Sequence, residues 1–229
     1  MLPEKIMLAF EIIGTISFAV SGALVAIKAG LDIFGVLFIG VITAFGGGVC
    51  RDLLIGRTPP ALFSNFYMFL IALLAATFVF IVSYVKRQHF DEWRRRIDHI
   101  NNFFDAVGLG AFAVMGTEVA FAQSLSHNAF LAITMGMLTG VGGGIFRDIL
   151  TNATPYIFKK HVYALAAIGG SCVYYVLRLW LPSVLLSSVI ALVLVVAVRM
   201  LATKYHWSLP KIYVGDSKRD SGRRNRSSK

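Results

Sequence analysis

Charge is what this sequence has least of: 12 acidic and 22 basic residues in 229, or 15% of the chain, against 57% hydrophobic residues and a mean hydropathy of +0.71. That shortage excludes an ordinary soluble domain, in which about a quarter of the residues are charged. Cysteine is scarce as well. Cys50 and Cys172 fall inside apolar stretches, where packing is the expected role rather than a disulfide or a metal site. His127 and His161 stand at the ends of such stretches without metal-ligand spacing and are expected to be structural. No Walker loop, zinc motif or nucleophile elbow is found, so the chain is read as a non-enzyme without a cofactor. The apolar runs also lack the two-residue alternation of barrel strands. With no basic leader and no small-residue cleavage site, the first run is expected to be a retained helix rather than a removed signal peptide.

What the chain does have is long apolar runs. A bilayer core about 30 Å thick needs roughly 20 apolar residues per helical span, and a helix satisfies its own backbone hydrogen bonds in lipid. Seven runs meet this requirement, near residues 6–27, 33–54, 66–85, 102–123, 128–150, 161–181 and 183–203. The fold class is therefore an all-α membrane protein with seven transmembrane helices. Alternate connections place Lys28, Lys86, Arg87, Arg94, Arg95, Arg96, Lys159, Lys160 and the C-terminal tail on one side, and Lys5 and Arg57 on the other. The excess of positive charge marks the first side as cytoplasmic, with the N-terminus outside and the C-terminus inside. The net charge of +10 thus belongs to loops and tail and not to a nucleic-acid surface. The tail from Lys218 to Lys229 is polar and basic and is expected to be disordered. Anionic lipid headgroups would attract it.

The runs are also duplicated. Gly46 to Asp52 reads GGGVCRD and Gly142 to Asp148 reads GGGIFRD; the same offset of 96 carries Gly40 to Gly136, Thr43 to Thr139, Thr58 to Thr154, Pro59 to Pro155 and Tyr67 to Tyr163. Upstream the offset is 94, pairing Glu11 with Asp105, Gly14 with Gly108 and the run Phe18–Gly22 with Phe112–Gly116. The second copy therefore holds a two-residue insertion, placed near Gln123–His127. Each copy has three spans, an odd number, so the second must enter the membrane from the opposite face. The expected organisation is a first three-helix repeat (1–86), a basic cytoplasmic connector (87–101), a second, inverted repeat (102–181), a seventh helix (182–204) and a basic tail (205–229). Inverted repeats with interrupted helices recur in transporters.

Each glycine costs a helix about 1 kcal/mol relative to alanine, so each triplet is a weak point where the second or fifth span would bend and expose carbonyls to a hydrated cavity. Close helix packing explains small residues equally well. Arg51, Asp52, Arg147 and Asp148 follow about one turn later. A charge at mid-span costs about 2.5 to 3.5 kcal/mol on insertion scales, so these four are expected to avoid lipid. Neighbours on a helix do not face each other; a crossed pairing between repeats, pairing with helix ends or water, and a structural network at the span ends all remain open. Glu11 and Asp105 lie near span ends, where solvation is expected. Glu118 matches Leu24 and lies deeper, which makes it the candidate for a cavity-facing carboxylate. An aspartyl catalytic pair of Asp52 and Asp148 is disfavoured because each follows an arginine, whose charge works against a shared proton.

The run FAVSGALVAIKAG from Phe18, the stretch DIFGVLFIGVITAFGGGVCRDLLIGRTP through Pro59, and the second GGGIFRDIL resemble the prokaryotic relatives of the trimeric intracellular cation channels, a family also labelled UPF0126 and glycine transporter. The resemblance extends to about Lys204. It implies two inverted three-helix bundles and a final helix, assembled as a homotrimer in a prokaryotic plasma membrane. Each subunit would have its own pore for potassium and sodium, with Gly46, Gly47, Gly48, Gly142, Gly143 and Gly144 as the helix kinks and Arg51, Asp52, Arg147 and Asp148 beside the path. The Lys-Glu-Val signature of animal members is represented only by Thr117-Glu118-Val119. An ordinary lipid at the trimer interface is therefore expected in place of a phosphoinositide. A secondary transporter of a small solute such as glycine is the alternative.

Overall fold

The structure is a computed structural model and describes residues 2–86, 90–123, 127–159 and 162–207. In order, the described helices are α1 (Leu2–Lys28), α2 (Ile33–Leu54), α3 (Ala61–Ser64), α4 (Phe66–Val85), α5 (Phe90–Ala122), α6 (Ala129–Leu150), α7 (Tyr156–Lys159), α8 (Val162–Trp180) and α9 (Val184–Lys204). Seven of them, all but the short α3 and α7, are long and apolar enough to cross a membrane, and no strand is present among the described residues. The fold is all-helical with seven candidate spans.

The helix starts are set locally. The Asp32 carboxylate accepts from Gly35 N at 2.8 Å to begin α2, and the Asn128 side chain accepts from Leu131 N at 3.0 Å to begin α6. These caps satisfy backbone donors that a helix's first turn leaves unpaired, and they occupy matching positions of the two copies. Gly30 follows α1 with φ 78°, a left-handed conformation in which glycine escapes the Cβ penalty, and so ends the helix.

One boundary differs from expectation. The stretch treated as a basic connector (87–101) is helical from Phe90 onward, as the first part of α5. FDEWRRRIDHIN is too polar to score as a span, but it has no glycine or proline to stop a helix, and its Ile97 is buried in the core. The glycine triplets interrupt neither α2 nor α6; both helices run unbroken through them. The expectations for Arg87, the side chains of Arg94 to Arg96, the insertion around 124–126, Lys160, His161 and the tail beyond 207 lie outside what the structure describes.

What the small residues do is let the two halves interlock. An added Cβ at Gly47 would collide with the carbonyl oxygen of Thr139, and one at Gly143 with the carbonyl oxygen of Thr43. Gly14 lies against the Phe112 ring and Gly108 against the Phe18 ring. Those two rings meet with centroids 5.3 Å apart. Each contact is the counterpart of the other under the sequence offsets, so the halves meet through equivalent surfaces. Along α1 and α5, Lys28 pairs with Asp98, Ser21 with Asn101, and Phe18 with Phe112. Rising numbers on one helix meet falling numbers on the other, so corresponding helices run antiparallel. The core around this crossing contains Phe18, Leu109, Phe112, Val141, Tyr163 and Val195, with α9 closing it from outside the duplication.

Candidate functional site

Both Arg-Asp pairs stand in the last turns of their helices and are buried. Contrary to the expectation that neighbours cannot meet, each arginine folds back onto the next residue: Arg51 Nε and Nη2 donate to Asp52 Oδ1 at 2.9 and 2.7 Å, and Arg147 Nε donates to Asp148 Oδ1 at 2.8 Å. The guanidinium is long and donates from several atoms, which makes the return possible. The second carboxylate oxygen starts a short helix in each case. Asp52 Oδ2 accepts from Ala61 N of α3, and Asp148 Oδ2 from Tyr156 N of α7, both at 2.8 Å. No crossed Arg-to-Asp pair joins the copies among the described residues.

Beyond these shared bonds the two places diverge. Arg147 has no exposed surface, and its Nη1 donates to Asp105 Oδ1 at 2.6 Å and to Ser21 Oγ at 2.7 Å. Ser21 in turn donates to Asn101 Oδ1 at 2.8 Å. From α9, Arg199 Nη2 reaches Asn102 Oδ1 at 3.2 Å and Asp105 Oδ2 at 3.4 Å, while its guanidinium lies 4.6 Å from the Tyr163 ring centre. Two arginines and two aspartates balance their charges in a buried network, in which Arg147 Nη2 and Arg199 Nε have no hydrogen-bond partner. Asp105, expected to be solvated, is instead wholly buried at its centre, because two guanidinium groups replace its water. Sequence reasoning missed Arg199. Its signal was present: an arginine within the apolar run LVLVVAVRML is too costly in lipid to face outward.

The equivalent place in the first half is open. Arg51 and Asp52 border a cavity of about 40 Å³ whose wall also includes Glu11, Thr15, Gly48, Phe112, Met115 and Thr139. Met115 occupies the position matching Ser21 and lines the same cavity as Arg51, so a thioether stands in the place where Arg147 finds a hydroxyl. Glu11 matches Asp105 and is partly buried; the charges whose fields reach it are Arg51, Arg57 and Asp52. The first half has no counterpart of Arg199, because α9 lies outside the duplication.

Glu118, expected to face a cavity, is not among the residues that line this one. It accepts from Tyr174 Oη at 2.8 Å and from Arg178 at 3.2 and 3.3 Å, tying α5 to α8. Of the triplet glycines only Gly48 borders the cavity, whereas Gly46, Gly47, Gly142 and Gly143 lie in the α2–α6 crossing and Gly144 faces Tyr163. Cys50 and Cys172 are both free thiols.

Comparison with known proteins agrees with this duplication. The family model described as Glycine transporter matches residues 8–84 and again 102–179. The UPF0126 membrane protein YvgT of Bacillus subtilis is 40% identical over 87% of this chain and 93% of its own length. The UPF0126 inner membrane protein YadS of Escherichia coli K12 is 32% identical over 91% and 97%. Among solved structures, one described as a prokaryotic TRIC channel in 0.5 M KCl superposes with a TM-score of 0.79 at 34% identity, covering 90% of this chain and all of that one (100%). A TRIC trimeric intracellular cation channel orthologue from Rhodobacter sphaeroides gives 0.77 at 29% identity, covering 88% and 98%.

Proposed function

This chain belongs to the UPF0126 membrane protein family, and from there we propose that it is a homotrimeric monovalent cation channel of a prokaryotic inner membrane. The observation that carries the proposal is the likeness, along nine-tenths of the chain, to solved cation channels of the same seven-helix fold. The permeant ions are potassium and sodium, and each subunit has its own path beside α2 and α6. The N-terminus faces outward and the C-terminus the cytoplasm, a reading supported by the excess of basic residues on one side. Lipid fills the joints between subunits. The glycine triplets supply compliance: two helices in backbone contact at Gly47 and Gly143, with no side chains between them, can shift against each other to widen the path.

The family description speaks of glycine transport, and inverted halves also suit alternating access. A glycine carrier needs a site for a zwitterion. The first-half cavity, of about 40 Å³, holds roughly two to three waters. The deciding experiment is flux from liposomes containing the purified protein, with potassium, sodium, chloride and glycine compared. Potassium and sodium efflux together with unitary current steps in planar bilayers support the channel. Saturable, ion-coupled glycine accumulation without such steps would overturn it.

A further inference from the structure

We infer that a permeating monovalent cation rests in the first-half cavity, with the Glu11 carboxylate as its counter-charge and the Thr15 hydroxyl as a neutral ligand. This rests on the channel reading above and adds where the ion pauses and which residues set its sign. Charge gives the first argument. Arg51 is neutralised by Asp52 at 2.7 Å, so Glu11 leaves the cavity wall with one net negative charge. Arg57 also reaches Glu11, but from an exposed position in the turn after α2, where water screens it. The matching place in the second half is different, since Arg147 and Arg199 already hold Asp105 and Asp148 and no net charge remains for an ion to balance.

The hydroxyl gives the second argument. Thr43, Thr77, Thr117 and Thr139 each donate to the carbonyl four residues earlier, the usual way for a helical threonine to satisfy itself in apolar surroundings. Thr15 does not. It is wholly buried, lines the cavity, and its Oγ1 has no hydrogen-bond partner. Such an unmade bond is expensive unless something enters the cavity. Glu11 and Thr15 lie four residues apart on α1 and so share one helix face. The space suits one cation with a water or two. A single carboxylate with neutral oxygens fits a monovalent ion, while a divalent ion would require more carboxylates and more ligands.

The test is single-channel recording on purified full-length protein in planar bilayers across a potassium chloride gradient, for wild type, Glu11→Gln, Glu11→Asp and Thr15→Val. Glu11→Gln should lower potassium conductance about tenfold at low potassium, the scale of losing one unit charge beside the ion; the deficit should shrink as potassium rises, and the potassium-over-chloride preference should weaken. Glu11→Asp should recover most of both, and Thr15→Val should lower conductance about threefold with selectivity kept, as loss of one neutral ligand implies. A second readout needs no current: potassium should raise the thermal transition of detergent-solubilised wild type and leave that of Glu11→Gln unchanged. If wild type conducts while Glu11→Gln and Thr15→Val match it at low potassium, the resting site is wrong and the channel stands. If wild type passes no ions, the channel reading fails; a potassium-dependent thermal shift lost in Glu11→Gln would then still support the site.

Discussion

Arg147 and Arg51 sit in nearly identical seven-residue motifs, yet one is buried among four partners and the other borders a small cavity. The difference comes from outside the motifs. Ser21 against Met115, Asp105 against Glu11, and Arg199 against nothing decide which copy closes. Duplication supplied two equivalent sites, and a few neighbouring substitutions gave them different work: one bolts helices from both halves and α9 together, and the other keeps a polar hollow beside the crossing. The comparison is sharpest where the same substitution is made in both halves.

Arg147→Met should have the largest effect. It leaves Asp105 and Asp148 buried with only Arg199 nearby, and stripping one partner from a buried ion network typically costs about 3 to 5 kcal/mol. Arg51→Met should cost clearly less, because water in the adjoining cavity can solvate Asp52 and the bond from Ala61 N survives. Thermal unfolding and the monodisperse fraction in detergent measure both. Equal losses would refute the division into closed and open copies.

Gly47→Ala and Gly143→Ala should cost the same, about 1 to 3 kcal/mol each, the range for forcing a methylene into a packed core. Each new methyl meets a backbone carbonyl, of Thr139 or Thr43, that cannot rotate away. Gly169→Ala in α8 is the control; nothing lies near its Cβ position, so it should be neutral or stabilising. Unequal losses at Gly47 and Gly143 would show that the halves do not meet through equivalent surfaces.

Much of this architecture was legible beforehand, because a bilayer imposes length and hydrophobicity on every span, and duplication leaves an offset that can be counted. The Arg-Asp pairs were visible as costly residues in apolar sequence. Their partners were not. Asp105 looked like a solvated end-of-span acid, since nothing local shows that α9 brings Arg199 to it across nearly a hundred residues of chain. The glycine triplets read equally as bends or as packing surfaces because propensity is a local quantity; their close approach to Thr43 and Thr139 is tertiary and visible only in the structure. Glu118 looked like a lone acid until α8 supplied Tyr174 and Arg178.

Ser21→Ala should have a moderate effect, about 1 to 1.5 kcal/mol, as expected for a buried hydroxyl that bonds Asn101 and Arg147. The matching Met115→Ala removes no polar bond and should act through packing alone. Introducing aspartate at Glu11 of the Ser21→Ala protein should return none of the loss, since Glu11 borders the first-half cavity and not the network that holds Ser21. Thermal transitions of the single and double variants decide this.

The smallest effect should separate two glycines that sequence treats as identical. Gly48 borders the open cavity, where an added Cβ would meet only Arg51 Nη2 at 3.7 Å, an ordinary contact. Gly48→Ala should therefore show the helix-propensity gain of up to about 1 kcal/mol that alanine has over glycine. At Gly144 the same methyl would lie 2.8 Å from Tyr163 Oη, on a ring fixed by the Arg199 guanidinium and the core. That crowding should cancel the gain and leave the variant at or slightly below wild-type stability. A difference of about 1 kcal/mol between the two, read as a shift in thermal transition, is thus expected from side-chain surroundings alone. Should Gly48→Ala prove the more destabilising of the pair, the open cavity beside Arg51 would not exist as described.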